Sequence, residues 1–490
     1  MSSRSYQEIA GFSRHQAINV RPVILNVVQF TPPNVSVSIF VFMSYFQQKL
    51  NTQFTSAFDL LAQLYDLTGL VYLYDHNTPI IAFLPQEFLI FQQSQLKQFQ
   101  QIQFNQYQMR PDASLLTAFS KFKSPSETSD TIAFNGGYIG FFSYDYCADQ
   151  FVDVSSRHQA GFFLGQYSTF LKYENDSWYF HSDEQQAELI FQQISDLINQ
   201  PIQMPPALCL LEKCQSRWSK QQYLQAFQQV QEYIKAGDCY QINLTQEFTT
   251  HAQGSLLSRA NDLWELTHAP YAGYLKLDDF ELLSCSPELF IEFQADRKIK
   301  TRPIKGTMPR FDDPQQDQIS KDKLSNSKKD QAENVMIVDL LRNDLSVYAE
   351  TGSVQTTKLF EIESYNQVHH MVSEITASLK ADINPMQMLL SALPGGSITG
   401  APKIRAMQII EELEGAPRGA YCGSLGYFNF DGTGSWNILI RSIQKYQDQL
   451  SMWAGGGITI ASDAEAEYQE CFDKISAMLD LLNTWQISEQ

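Results

Sequence analysis

Positive charge is scarce in this sequence: 35 Lys and Arg stand against 54 Asp and Glu, a formal net charge of −19. That balance argues against nucleic acid or an anionic membrane surface as the main partner. Cysteine is also sparse. The seven (147, 209, 214, 239, 285, 422, 471) form no CxxC pair and no regular spacing, which argues against a zinc or disulfide framework and reads as reduced thiols. Long hydrophobic runs are missing. The longest apolar stretch, 35–46, is too short to span a bilayer. No apolar segment follows the basic residues of the N-terminal MSSRSYQEIAGFSRHQ, so a signal peptide is not expected and the expected location is cytoplasmic. There is no Walker-type phosphate loop and no internal repeat.

What is present is 43% apolar content in 490 residues, enough for a large core or two packed units. The first half is irregular and aromatic-rich, with β-like runs at 23–30 and 36–46. Residues 92–108 hold nine Gln interleaved with Leu, Phe, Ile and Tyr, a composition that predicts order rather than disorder. A glycine-kinked strand is expected at 136–142 and a helix around 184–199. Pro201, Pro205 and Pro206 mark the expected boundary between an N-terminal lobe, 1–215, and a catalytic lobe, 216–490. Ser219 then precedes a helical pattern, Tyr223, Phe227, Val230 and Ile234, ended by Gly237. Glycine-dense turns are expected at 395–400, 423–426 and 455–457.

Carboxylates recur at helical spacing. Asp330 and Glu333 share one face near the start of a helix expected to be well buried through Val335, Ile337, Val338, Leu340 and Leu341. Glu467 and Glu470 repeat the device, with Lys474 one turn on. Two such helices could converge on magnesium, which takes oxygen ligands and keeps waters. Glu333 and Glu470 would then ligate directly, with Asp330 and Glu467 holding waters. Each pair alone reads more readily as a solvated helix face. The segment from Pro394 to Lys403 joins a glycine turn, including Ser397, to a helix start with Lys403 and Arg405 behind it, and such turns can cradle anions. Gly455, Gly456 and Gly457 would let backbone approach a ligand. Arg441, at the end of a strand-like run at 436–440, could grip a carboxylate, and Tyr421 could add a hydroxyl. His370 reads alone as structural.

The order of these segments resembles the chorismate-binding enzyme family. The matching stretches are Gly237-Asp238-Cys239-Tyr240-Gln241-Ile242-Asn243-Leu244, Ser286-Pro287-Glu288, Arg302-Pro303-Ile304-Lys305-Gly306-Thr307, Ala332-Glu333 through Arg342-Asn343-Asp344-Leu345, Val368-His369-His370, the 397–403 loop, Ile440-Arg441, and 455–474. The resemblance implies a two-lobed α/β (α+β) sandwich of large, mostly antiparallel sheets with outer helices. It implies Mg2+ on Glu333 and Glu470, with Asp330 and Glu467 beside it, gripping the ring carboxylate of chorismate. It places Tyr421, Arg441, Lys474, Ser397, Thr307 and the amides of Gly455, Gly456 and Gly457 around the substrate, so that metal and cations override the acidic surface at short range. His370 resembles the family's active-site histidine. Glu288 resembles the acid that protonates the departing C4 hydroxyl, a role that needs a raised pKa.

Two positions separate the family's reactions. Isochorismate and salicylate synthases carry Lys where this chain has Gln241, and an amide cannot activate water. Anthranilate synthases carry Ala where this chain has Lys305, whose amine can attack C2 covalently before ammonia arrives at C4. The resemblance therefore implies chorismate and ammonia as substrates. With no Gly-x-Cys-x-Gly nucleophile elbow in the chain, it implies a separate glutamine amidotransferase subunit as ammonia source. It also allows tryptophan in the N-terminal lobe. The alternatives are amination at C2, as in anthranilate synthase component I, and a non-catalytic scaffold of the same fold.

Overall fold

Two large sheets organise the chain in this computed structural model, which describes residues 45–111, 133–365 and 368–487. The run at 23–30, and the stretch at 35–46 apart from Tyr45 and Phe46, lie outside the described residues. The 13-stranded sheet runs in the order Phe46–Lys49, Ser177–Ser182, Thr169–Glu174, Thr78–Ala82, Val71–Asp75, Tyr271–Lys276, Phe280–Ser286, Ser442–Tyr446, Gln449–Ile458, Gln241–Gln253 and Cys209–Leu210. Two short strands, Gln215–Ser216 and Gly400–Ala401, add to Gln241–Gln253.

The 12-stranded sheet begins with Ile304–Pro309, Val368–Ser378, Lys298–Thr301, Leu289–Phe293 and Gly434–Asn437. It continues through Ser424–Asn429, Gly137–Phe142, Phe162–Tyr167, Glu87–Gln92, Gln95–Gln103 and Gln106–Arg110. Gln355–Ser364 also pairs with Val368–Ser378. Pairing between neighbours in these sheets is antiparallel, as the sandwich expectation requires.

The sheets face each other across a core in which Val71, Leu73, Ile80, Leu275 and Leu282 of the first meet Phe88, Ile139, Phe141, Phe163 and Tyr427 of the second. Helices Ala57–Gln63, Ala187–Ile198, Ala260–Thr267 and Ser476–Asn483 cover the other face of the first sheet. Lys220–Ala236, Lys328–Ser346, Pro385–Ala392 and Lys403–Glu414 pack on the second and on the ends of Gln241–Gln253 and Gln449–Ile458. The boundary expected at 215 falls just before Lys220–Ala236. Strands from both sides of it share each sheet: Val71–Asp75 pairs with Tyr271–Lys276, and Gly137–Phe142 with Ser424–Asn429. No helix among the described residues is long and apolar enough to cross a membrane.

Local signals place several elements as expected. Ser219 caps Lys220–Ala236 through a reciprocal capping box with Gln222, and Gly237 ends the helix in the left-handed region at φ 82°. The Gln-rich stretch folds as the ladder between Gln95–Gln103 and Gln106–Arg110. Three expectations need correction. Gly426 and Gly455 to Gly457 sit inside strands rather than in turns. Val335 is 48% exposed, because Asn334, Ile337, Val338, Leu341 and Leu345 form the buried face of its helix. The strand containing Trp436 stops at Asn437; residues 438–441 cross from the second sheet to the first, and Arg441 turns the chain at φ 50° before Ser442–Tyr446 begins.

Candidate active site

Five segments bring charged side chains together where helices Lys328–Ser346 and Ala464–Asp473 approach the two sheets. Ile304–Pro309 carries Lys305, and the turn between Phe280–Ser286 and Leu289–Phe293 carries Glu288. Arg441 stands at the crossing between sheets, and Lys474 caps the C-terminal end of Ala464–Asp473. Glu288 is buried, and its backbone is fixed on both sides: its N–H donates to Ser286 Oγ at 3.2 Å and its carbonyl accepts from Ile438 N–H at 3.1 Å. Burial pushes its carboxyl up to about 7 against the pull of Lys305, Lys474 and Arg441. Burial lowers the Lys305 ammonium from its ordinary value, opposed by Glu288, Glu333 and Glu470 and helped by Lys474. Lys305 Nζ donates to the Ser397 carbonyl at 3.4 Å, so the Gly396–Ile398 turn orients the amine.

The carboxylate pairs converge from two helices. Ser327 caps one start by accepting from Asp330 N–H, and Asp463 caps the other by accepting from Ala466 N–H. Glu467 is buried and raised chiefly by that burial, with Ser462 Oγ donating to Oε1 at 2.7 Å. Glu333 is likewise raised by burial, with Glu470 and Asp330 adding repulsion. Burial opposes ionisation of Glu470 too, but Lys474 at 2.7 Å, Lys329 and Lys305 hold it below the usual carboxylate range. Lys474 Nζ also donates to the Gly455 carbonyl at 2.8 Å.

Glycine makes this convergence possible at two places. A Cβ on Gly456 would lie 2.9 Å from Glu470 Oε1 and 3.0 Å from Glu467 Oε2, so the bare backbone lets both carboxylates approach the strand. Gly306 adopts φ 82°, and a Cβ there would meet Asp330 Cγ at 2.9 Å.

Gln241 is buried at the start of its strand, and its Oε1 finds no hydrogen-bond partner among the described residues. Its amide lies against Gly457. His370 pairs in register with Thr307, whose hydroxyl bonds His370 Nδ1 at 2.8 Å. Burial, with Arg441 adding to it, lowers the imidazole to about 4, so it is neutral at neutral pH. Thr307 itself is exposed.

Three other expected residues have different neighbours. The Tyr421 ring is buried, stacked on Trp453 at 6.0 Å and 13°, with the Arg418 guanidinium 5.8 Å from its centroid. Lys403 pairs with Asp344 at 3.3 Å and Arg405 with Asp238 at 3.1 Å, so neither cation backs the glycine turn as an anion cradle.

Two residues were missed by sequence reasoning. Arg418 is fully buried, forks onto both Glu414 oxygens at 2.8 and 2.7 Å, and donates to the carbonyls of Ile398 and Asn243. It thereby ties the turn holding Lys305 to the strand holding Gln241. Lys329 stands 3.9 Å from Glu333 Oε1 and 3.9 Å from Glu467 Oε1, between the acidic helices. The i,i+4 spacing of Lys329 and Glu333 was its only sequence signal.

All donors in the acidic cluster are carboxylate oxygens, the chemistry a hard divalent cation prefers. Among the described residues, no three His, Cys, Asp or Glu side chains already stand together as a ready metal cage.

Similarity to known proteins accords with this arrangement. The chain is 42% identical over 362 residues to aminodeoxychorismate synthase component 1 of Klebsiella aerogenes, covering 72% of this chain and 78% of that protein. It is 48% identical over 268 residues to the protein of the same name from Escherichia coli, covering 55% of this chain and 59% of its relative. Among solved structures, anthranilate synthase component I from Streptococcus pneumoniae superposes with a TM-score of 0.71 at 25% identity, covering 82% of this chain and 92% of the other. Residues 75–480 match the family described as chorismate binding enzyme, and the chain belongs to that family.

Proposed function

We propose that this chain acts as component I of an aminodeoxychorismate synthase. It replaces the C4 hydroxyl of chorismate with an amino group and leaves the enolpyruvyl group in place. The observation that carries this reading is Lys305: a desolvated amine held by the Ser397 carbonyl, in the same cluster as the buried acid Glu288. A lysine whose ammonium is destabilised by burial presents a free amine more readily.

In the first half-reaction the Lys305 amine forms a bond to C2. The ring double bonds shift, and the C4–O bond breaks. The buried carboxyl of Glu288 gives its proton to the departing hydroxyl, which leaves as water. In the second half-reaction ammonia bonds to C4, the double bonds shift back and the C2–N bond breaks. Lys305 returns as the leaving amine, and one ammonia has been exchanged for one water. His370, neutral and held by Thr307, offers Nε2 beside the reacting ring. Gln241 supplies a buried amide where an amine base would activate water, so hydration at C2 is disfavoured.

Glu333 and Glu470 would hold Mg2+, with Asp330 and Glu467 on its waters; when bound, the ion neutralises the ring carboxylate of chorismate. Arg441, Lys474 and the Gly455–Gly457 backbone take the remaining carboxylate charge in this reading. Ammonia comes from a separate glutamine amidotransferase subunit. A cytosolic setting is consistent with seven unpaired thiols, six of them buried.

The test is to incubate the chain with chorismate, Mg2+ and concentrated ammonium near neutral pH and identify the product by mass and fluorescence. The expected product is non-fluorescent, keeps the enolpyruvyl group and is converted to p-aminobenzoate by an added lyase. Fluorescent anthranilate with released pyruvate would overturn the reading. Lys305→Ala should abolish C4 amination and divert chorismate to a C2 product. Unchanged C4 amination in that variant would remove Lys305 from the mechanism.

A further inference from the structure

Glu467 and Glu470 of one helix reach the strand at Gly456, and Lys329 stands 3.9 Å from Glu467 and 3.9 Å from Glu333 of the other. Acidic side chains from two helices thus come to one place, and their charge must be compensated when no divalent ion is present. Two lysines reach them, and they are built differently. Lys474 is fixed: its ammonium lies 2.7 Å from Glu470 Oε1 and donates to the Gly455 carbonyl at 2.8 Å. Lys329 is loose. It is the second residue of its helix, its side chain is 59% exposed, and it stands 3.9 Å from one carboxylate of each helix. That separation exceeds hydrogen-bond length, so the contact is electrostatic only. An exposed ammonium at such a distance gains little and is held weakly. It nevertheless stands equally near a carboxylate of each helix.

We infer that Lys329 is the resident counter-ion of the acidic cluster and that an incoming divalent cation must displace it. The inference rests on the metal-site reading above and adds a residue that sets the affinity of that site. Lys329 bridges Glu333 on its own helix to Glu467 on the other, so it offsets the mutual repulsion of the metal-free pairs. The same positive charge then opposes metal entry. Swinging its flexible stem into solvent removes the opposition, whereas Lys474 stays.

Direct metal binding tests this without turnover. Mn2+ and Mg2+ are titrated into the metal-free full chain by calorimetry, and Mn2+ is also followed by electron paramagnetic resonance. The proteins are wild type, Lys329→Met, Lys329→Arg, Glu333→Gln, and Lys235→Met as a control that removes one surface charge elsewhere. Lys329→Met should bind the metal about three- to tenfold more tightly at low salt, and the gain should shrink as ionic strength rises. Lys329→Arg and Lys235→Met should bind as wild type does. Without metal, Lys329→Met should melt below wild type, and saturating Mn2+ should close the gap.

Unchanged or weaker binding by Lys329→Met, with binding still lost in Glu333→Gln, would overturn the counter-ion role and leave the metal site standing. No metal binding to any variant or to wild type would overturn both.

Discussion

In the proposed reaction, Glu288 is the residue whose protonation state matters most. It is buried and its carboxyl is raised to about 7. A folded pKa above the unfolded value means that its protonated form favours folding. That contribution is complete below about 4.5 and is lost as pH rises through about 7. In the proposed mechanism catalysis follows the same proton, since an ionised Glu288 could not protonate the departing hydroxyl. We expect kcat/KM to fall on its alkaline side from about pH 7 and Glu288→Gln to lose about 10²- to 10⁴-fold in kcat. Glu288→Gln should also resist urea better than wild type above pH 7, because it buries no charge there. A variant with full kcat, or an alkaline limb that persists unchanged in it, would remove Glu288 as the acid. His370 runs the other way: its folded pKa, about 4, lies below the ordinary value. Its contribution is present above about pH 6.5 and disappears as pH falls through about 4. Denaturation midpoints measured between pH 4 and 7 should therefore be less pH-dependent in His370→Asn.

Motif order singled out Glu288, Lys305, Gln241 and His370 in the sequence, because each sits in a short segment of distinctive residues. Lys329 and Arg418 were not legible. A lysine four residues before a glutamate reads as a solvated helix pair, and an arginine after a proline carries no periodic signal. Their roles come from elements distant in sequence: Glu467 lies 138 residues beyond Lys329, and Arg418 reaches the Asn243 carbonyl across 175.

Elements decide how closely the carboxylates can gather. The helix around Glu467 and Glu470 was legible from its i,i+3 acids, and Asp463 starts it. The glycines opposite were misread as a turn because a Gly-Gly-Gly run resembles one, whereas here it is strand backbone made bare for an approaching helix. In Gly456→Ala the new methyl would press on Glu470 Oε1 and Glu467 Oε2, the far ends of side chains rather than backbone. The carboxylates can turn aside, so the fold should survive at a cost of about 1–3 kcal/mol. The displaced carboxylates should then weaken Mn2+ binding by about tenfold or more, since ligand geometry is what Mg2+-type sites demand. Calorimetric titration beside a thermal melt separates the two effects. Metal affinity equal to wild type in a folded Gly456→Ala protein would mean that the strand does not set the carboxylate positions.

The whole molecule depends on pairings that the sequence could not specify. Alternation and turn residues announced many strands, but nothing local tells Val71–Asp75 that its neighbour is Tyr271–Lys276, or Gly137–Phe142 that it lies against Ser424–Asn429. The proline-rich stretch near 201–206 looked like a lobe boundary because composition changes there, yet composition does not record which strands share a sheet. The consequence concerns the catalytic half. A fragment 216–490 would carry every side chain assigned to the reaction, but it would lose the strands flanking Tyr271–Lys276 and Ser424–Asn429. Two long edges would stand open, and much of the core between the sheets, including Val71, Ile139 and Phe141, would be absent. We expect 216–490 expressed alone to aggregate, or to show no cooperative thermal transition. Co-expression with 43–215 should return material that co-elutes in size-exclusion chromatography and melts cooperatively. A soluble, monomeric 216–490 that aminates chorismate would show that the site-bearing elements fold without their partners. The shared sheets would then be an accessory to the active site rather than its foundation.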